Sequence, residues 1–157
     1  MERSTNTSDW IRTVDMVFPQ DANPLGNMFG GRVMQKMDVN SAIACFRFCR
    51  TAAVTASSEP IDFRAPINVG DVIEVCSRIA WTGRTSMIVR NEVYGENPLT
   101  GKRLLCTIGH MNFVAIDGNG RPIEVPMLER RTPEEEEHWA QGVVIRGQIL
   151  ARRGAAR

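Results

Sequence analysis

Three sets of residues able to do chemistry lie close together in this chain: the amide of Asn23, the paired glycines Gly30 and Gly31, and the carboxylate of Asp38. A Gly-Gly pair opening a helix leaves backbone N–H groups unpaired at the positive end of the dipole, with no side chain in the way of a carbonyl or phosphate oxygen. A carboxylate two turns further on can deprotonate a water or attack a carbonyl itself. Asn23 offers an amide that orients water or donates to an oxygen; equally, it can stabilise its own turn before Pro24.

Such groups need a loop that runs into a helix. Asn23-Pro24 with Gly26, Gly30 and Gly31 marks a turn-rich segment, and no Gly or Pro follows before Arg50, so a helix is expected from about Gly30. On a wheel of about 100° per residue, Met34, Met37, Ser41, Ala44, Cys45 and Phe48 share one arc. Arg32, Lys36, Asn40, Arg47 and Arg50 form the opposite stripe, which Val39, Ile43 and Phe46 interrupt, so most of the helix should be covered. Asp38 falls on the flank of the apolar arc, where carboxylates seldom lie unpartnered. Two readings stand: it caps a loop or pairs with an arginine, or it is reactive.

The stretch Asn23, Gly26, Gly30, Gly31, Asp38 resembles the acyl-CoA thioesterases of the hotdog fold, in particular the one-domain group similar to cytosolic acyl-CoA hydrolases. The resemblance continues through Phe63-Arg64-Ala65-Pro66-Ile67-Asn68-Val69-Gly70-Asp71 and Gly83-Arg84-Thr85-Ser86, and covers roughly 13–126. It implies an α+β hotdog domain, an antiparallel sheet wrapped around one long central helix, over 13–128, with an N-terminal segment 1–12 and a C-terminal helix and basic tail 129–157. The implied activity is hydrolysis of fatty acyl-CoA to free acid and coenzyme A. Asp38 would be base or nucleophile, Asn23 would orient, and Gly30 or Gly31 would polarise the carbonyl. No cofactor or metal is implied. The Asn and the Asp of one site would come from different units, making a homodimer the minimal active form, with a trimer of dimers as the expected assembly. Two departures bear on substrate range: Val39-Asn40 follows Asp38, where relatives place another acidic or small residue, and Ser57-Ser58-Glu59 carries no family signature.

Coenzyme A has an anionic nucleotide end and a slender arm, which calls for basic groups at a mouth and small residues along a channel. Arg64, Arg84, Thr85 and Ser86 are the candidates, each arginine also readable as a solvated turn residue or a surface ion pair.

Composition narrows the classes. At 157 residues, 43% hydrophobic and 24% charged, the chain suits one globular domain, and a net charge of +1 gives no field that argues for nucleic acid. No apolar run approaches the roughly 20 residues of a membrane span, and the first residues lack a signal-peptide core, so a cytoplasmic protein is expected. Cys45, Cys49, Cys76 and Cys106 lack CxxC spacing and read as reduced, mostly buried thiols.

Trp10 to Phe18 alternates as a first strand, and Pro60 makes Ala52 to Phe63 an edge, bulged or broken strand. Val72 to Trp81 should put Ile73, Val75, Ile79 and Trp81 on one face and Glu74 and Arg78 on the other, turning at Gly83-Arg84 into Thr85 to Tyr94. Arg103 to Ile116 is apolar on both faces, as in a strand covered twice. Thr132, Pro133 and Glu135 combine an N-cap, a first-turn proline and a capping-box acid, while Gly147 to Arg157 reads as a partly ordered basic end.

Other chemistries find less support. There is no GxSxG elbow and no phosphate-binding glycine loop. His138 is expected to be exposed, and His110 to be a hydrogen-bonded core residue rather than a base. A non-catalytic acyl-CoA sensor on the same fold is the main alternative, although such regulators usually carry a DNA-binding appendage. A dehydratase would want a histidine near the helix, and none precedes His110.

Overall fold

The computed structural model describes residues 2–156. In chain order the elements are β1 (Thr5–Asn6), β2 (Ile11–Met16), α1 (Gly30–Cys49), β3 (Ala52–Ser58), β4 (Val72–Thr82), β5 (Ser86–Glu96), β6 (Arg103–Ile116), β7 (Met127–Leu128) and α2 (Pro133–Ala155). Five strands form one antiparallel sheet in the order β2-β4-β5-β6-β3, and β1 pairs with β7 in a small parallel ribbon.

The inward residues of neighbouring strands face each other, Val75 with Val93 and Ile79 with Val89, and build one apolar floor. Across it lies α1, which touches all five strands and buries Val33, Met37, Ala44, Cys45 and Phe48. Full burial of one such side chain contributes about 1.5–3 kcal/mol, so this stripe fixes the position and rotation of the helix. The helix stops where Arg50 takes a left-handed conformation (φ 57°) and the chain turns into β3. A tight turn joins β4 to β5, with Gly83 N donating to Ser86 O at 2.8 Å. On the opposite face of the sheet α2 packs against β4 and β5. Its start follows the sequence: the Thr132 side chain accepts from Glu135 N at 3.2 Å, with Pro133 in the first turn.

Several expectations are corrected. On α1, Asn40 is 1% exposed and Met34 37% exposed, the reverse of their expected places. Asn40 is buried because its amide donates to Ile11 O, Val75 O and Ser77 Oγ, within a polar cluster that joins Ser41 and Ser77 to Asn91. Val39 and Phe46 stay exposed in the single chain, so α1 is covered on the sheet side only. Arg78 lies on the expected face, opposite Ile73, Val75 and Ile79, and is buried there because α2 covers it and supplies Glu134 and Glu135 as partners. The same docking buries His138, which packs edge-on against Trp10 at 6.0 Å. His110 is half-buried, and its Nε2 has no hydrogen-bond partner among the described residues. The expected loose C-terminal end is helix as far as Ala155, where Ile149 is buried and Arg152 makes two hydrogen bonds to the buried Glu59 carboxylate; Arg157 lies outside the described residues.

All four cysteines are unpaired, three of them buried. Among the described residues no helix is long and apolar enough to cross a membrane, and no group of three or more His, Cys, Asp or Glu side chains could hold a metal ion.

Candidate active site

Asp38 stands in the middle of α1, half-buried, and forms no ion pair among the described residues. The one hydrogen-bond partner of its side chain among the described residues is Thr55 on the edge strand β3, whose hydroxyl donates to Asp38 Oδ1 at 2.5 Å. Of the two readings open in the sequence, the arginine pairing and the loop cap are therefore not realised. A short bond from a hydroxyl orients a carboxylate, and Oδ2 takes no side-chain hydrogen bond among the described residues.

The turn before α1 holds Asn23. Its Oδ1 accepts from Leu25 N at 3.0 Å and from Asn27 N at 3.2 Å, which identifies that atom as the oxygen and leaves the amide nitrogen without a partner among the described residues. The turn-stabilising role is thus present, and a free donor with it. Gly26 closes the loop at φ 81°, a conformation that strains any residue with a Cβ. At the helix start, Arg32 N and Val33 N both bond the Phe29 carbonyl, so the N–H groups of Gly30 and Gly31 ahead of them have no helical acceptor.

Gly30 borders a cavity of about 310 Å³ lined also by Val33, Phe63, Arg64, Pro66 and Ile67, in which a Cβ on Gly30 would lie 3.3 Å from the Phe63 ring. Nothing stands within 4 Å of the same position on Gly31. Arg64 is exposed at the rim.

One protomer does not bring all these groups to a single point. Gly30 and Asp38 are eight residues apart in one helix, roughly 12 Å along its axis, whereas one reacting carbonyl needs base and oxyanion donors each about 3 Å away. The helix start and the carboxylate of one protomer are thus too far apart to act on the same carbonyl.

The β4–β5 turn carries the other candidates. Arg84 is almost fully exposed, with a loose ion pair to Glu124 at 3.8 Å, and Thr85 is half-buried. Ser86 is buried at the base of the turn, so the tip presents Arg84 and Thr85.

The two histidines are held neutral. Burial first, and then Arg90, push His110 down to about 4 and lower His138 in the same direction. Both lie between the sheet and α2, away from Asp38. Thr55 is the residue that sequence reasoning missed: its only signal was a hydroxyl on an edge strand, and its partner follows from how β3 packs beside α1.

Comparison with known proteins now decides the family. The family model of the thioesterase superfamily matches residues 25–102. A Bacillus subtilis protein named as an uncharacterized acyl-CoA thioester hydrolase is 40% identical over 119 residues, covering 76% of this chain and 69% of that one. The chain belongs to the thioesterase superfamily. As a thioesterase-superfamily member it has the fold that the resemblance implied, a hotdog, with the curled sheet set against α1. The crystal structure of an acyl-CoA hydrolase from Bacillus cereus superposes with a TM-score of 0.90 at 31% identity, over 94% of this chain and 90% of that one. That of an apo-hexameric acyl-CoA thioesterase gives 0.87 at 36% identity, over 94% of each.

Proposed function

We propose that this thioesterase-superfamily protein is an acyl-CoA thioester hydrolase acting on fatty acyl chains, with Asp38 as the general base or nucleophile in a site completed by a second copy of the chain. The observation that carries this reading is the Asp38 carboxylate, held by Thr55 and without an ion pair among the described residues. Relatives named as acyl-CoA thioester hydrolases support the substrate class.

In the reaction, the thioester carbonyl sits against the N–H groups of Gly30 or Gly31, and the amide nitrogen of Asn23 donates to the same oxygen or to the attacking water. Asp38 of the other protomer takes the water proton as the C–O bond forms, or attacks the carbonyl itself to give, once the thiolate has left, a mixed anhydride that water hydrolyses to the free acid and the regenerated carboxylate. The tetrahedral oxyanion then collapses, the C–S bond breaks, and the thiolate of coenzyme A leaves and takes up a proton. Arg84 and Arg64 meet the phosphates of the nucleotide. No step calls for a cofactor.

The exposed Val39, Phe46 and Val54 and the outer edge of β3 support a dimer, since an open strand edge flanked by apolar groups invites a second chain. A hexamer built from three dimers fits the structural neighbour described as hexameric. Four unpaired cysteines fit a reducing compartment, so we place the enzyme in the cytoplasm.

Thiol release across acyl-CoA substrates of increasing chain length tests this function. Turnover by the wild-type protein, with loss of activity in Asp38→Ala while acyl-CoA still binds, supports it. Tight binding with no turnover of any chain length would make the protein a sensor instead.

A further inference from the structure

The segment before β2 is fastened at three places that bear on the site. At its head, the half-buried Arg3 donates through Nε to Val125 O at 2.6 Å and through Nη2 to Pro126 O at 3.3 Å and to Gly83 O, the carbonyl at the β4–β5 turn. The 125–126 segment is itself tied to the turn, because Val125 N donates to Arg84 O at 2.9 Å. One guanidinium thus closes the junction between the turn that displays Arg84 and the chain beside it. Further along, the Asn6 amide donates to Phe48 O at 2.8 Å, in the last turn of α1, and Ser8 Oγ accepts from Ile79 N at 2.9 Å. Residues 3–8 therefore form a strap from the β4–β5 turn to the helix that carries Asp38.

Arg84 has little else to hold it. Its side chain is 86% exposed, and its contact with Glu124 is long, a pair of the kind that contributes little in water. Where the Arg84 side chain starts is set by its backbone, and that backbone is held by Val125 and, through Gly83, by Arg3. Without Arg3 three main-chain carbonyls lose a charged donor, and the turn is free to move relative to α1.

We propose that Arg3 is a positioning residue for coenzyme A: it fixes the turn so that Arg84 stands where the nucleotide phosphates arrive, while the thioester end is left untouched. This rests on the reading of Arg84 as a contact to the nucleotide. Arg3 itself touches no substrate.

The test compares an acyl-CoA with the matching S-acyl-pantetheine, which lacks the nucleotide, on the wild type, Arg3→Ala, Arg3→Gln and Arg84→Ala. The expected result is a KM for acyl-CoA raised roughly three- to tenfold by Arg3→Ala, with kcat within about twofold and no change in either constant for the pantetheine thioester. Arg3→Gln keeps one donor and should fall between, which also serves if Arg3→Ala folds poorly. If Arg84→Ala raises KM for acyl-CoA and the Arg3 variants do not, the positioning role is wrong while the hydrolase reading stands. If Arg84→Ala changes nothing, the turn does not bind the nucleotide and the role of Arg3 falls with it. Equal losses on both substrates would make Arg3 a purely structural residue and overturn the proposal.

Discussion

Thr55 and Asp38 meet across the seam between the edge strand and the helix, hydroxyl to carboxylate at 2.5 Å. The bond joins positions 17 apart in sequence and sets the rotamer of the group on which the proposed chemistry depends. Thr55→Ala should lower kcat by about tenfold or more with KM little changed, since a hydrogen bond to a charged group is worth about 1.5–3 kcal/mol. Thr55→Ser should restore most of the activity. Steady-state thiol release on the three proteins checks it.

How far the sequence foretold this site depends on the residue. The loop, the start of α1 at Gly30 and the span of β6 followed from glycine, proline and alternation, because those signals act within one element. Asn40 and His138 were misplaced and the burial of Arg78 was not foreseen, because each is buried by something outside its own element. Asn40 finds carbonyls on β2 and β4, and Arg78 and His138 lie under α2. Thr55 was missed for the same reason. The proposed sharing of the site between protomers rests on the family resemblance and on the helix rise between Gly30 and Asp38.

The polar cluster under α1 should govern stability. Asn91 is fully buried, and its side chain bonds both Ser41 and Ser77. Asn91→Ala would leave two buried hydroxyls short of partners and should cost about 2–4 kcal/mol. Urea denaturation would show this as a lower midpoint with an unchanged slope.

Two glycines of α2 should respond in opposite directions. A Cβ on Gly142 would collide with the Trp81 side chain, whereas one on Gly147 meets nothing within 4 Å. Gly142→Ala should destabilise by about 1–3 kcal/mol through overpacking, and Gly147→Ala should stabilise by up to about 1 kcal/mol through helix propensity. Thermal melts of both variants decide the matter.

Acid should weaken the attachment of α2. The folded state holds His110 at about 4 against 6.5 for the free side chain, so between these values the unfolded chain binds more protons. Stability is therefore fully present above pH 6.5 and is lost as pH falls toward 4, by as much as about 3 kcal/mol for this residue. His138 acts in the same direction. Urea midpoints at pH 7 and pH 5 should differ less in His110→Gln than in the wild type.

The most direct measurement of the central claim mixes two inactive proteins. Asn23→Ala and Asp38→Ala should each lose hydrolysis, and co-refolding equal amounts should return about a quarter of wild-type activity, since half of the dimers are mixed and one of their two sites is intact. Recovery at that level would show that helix start and carboxylate act across the interface. If the mixture stays as inactive as its parts, although mixed dimers have formed, the shared site is wrong.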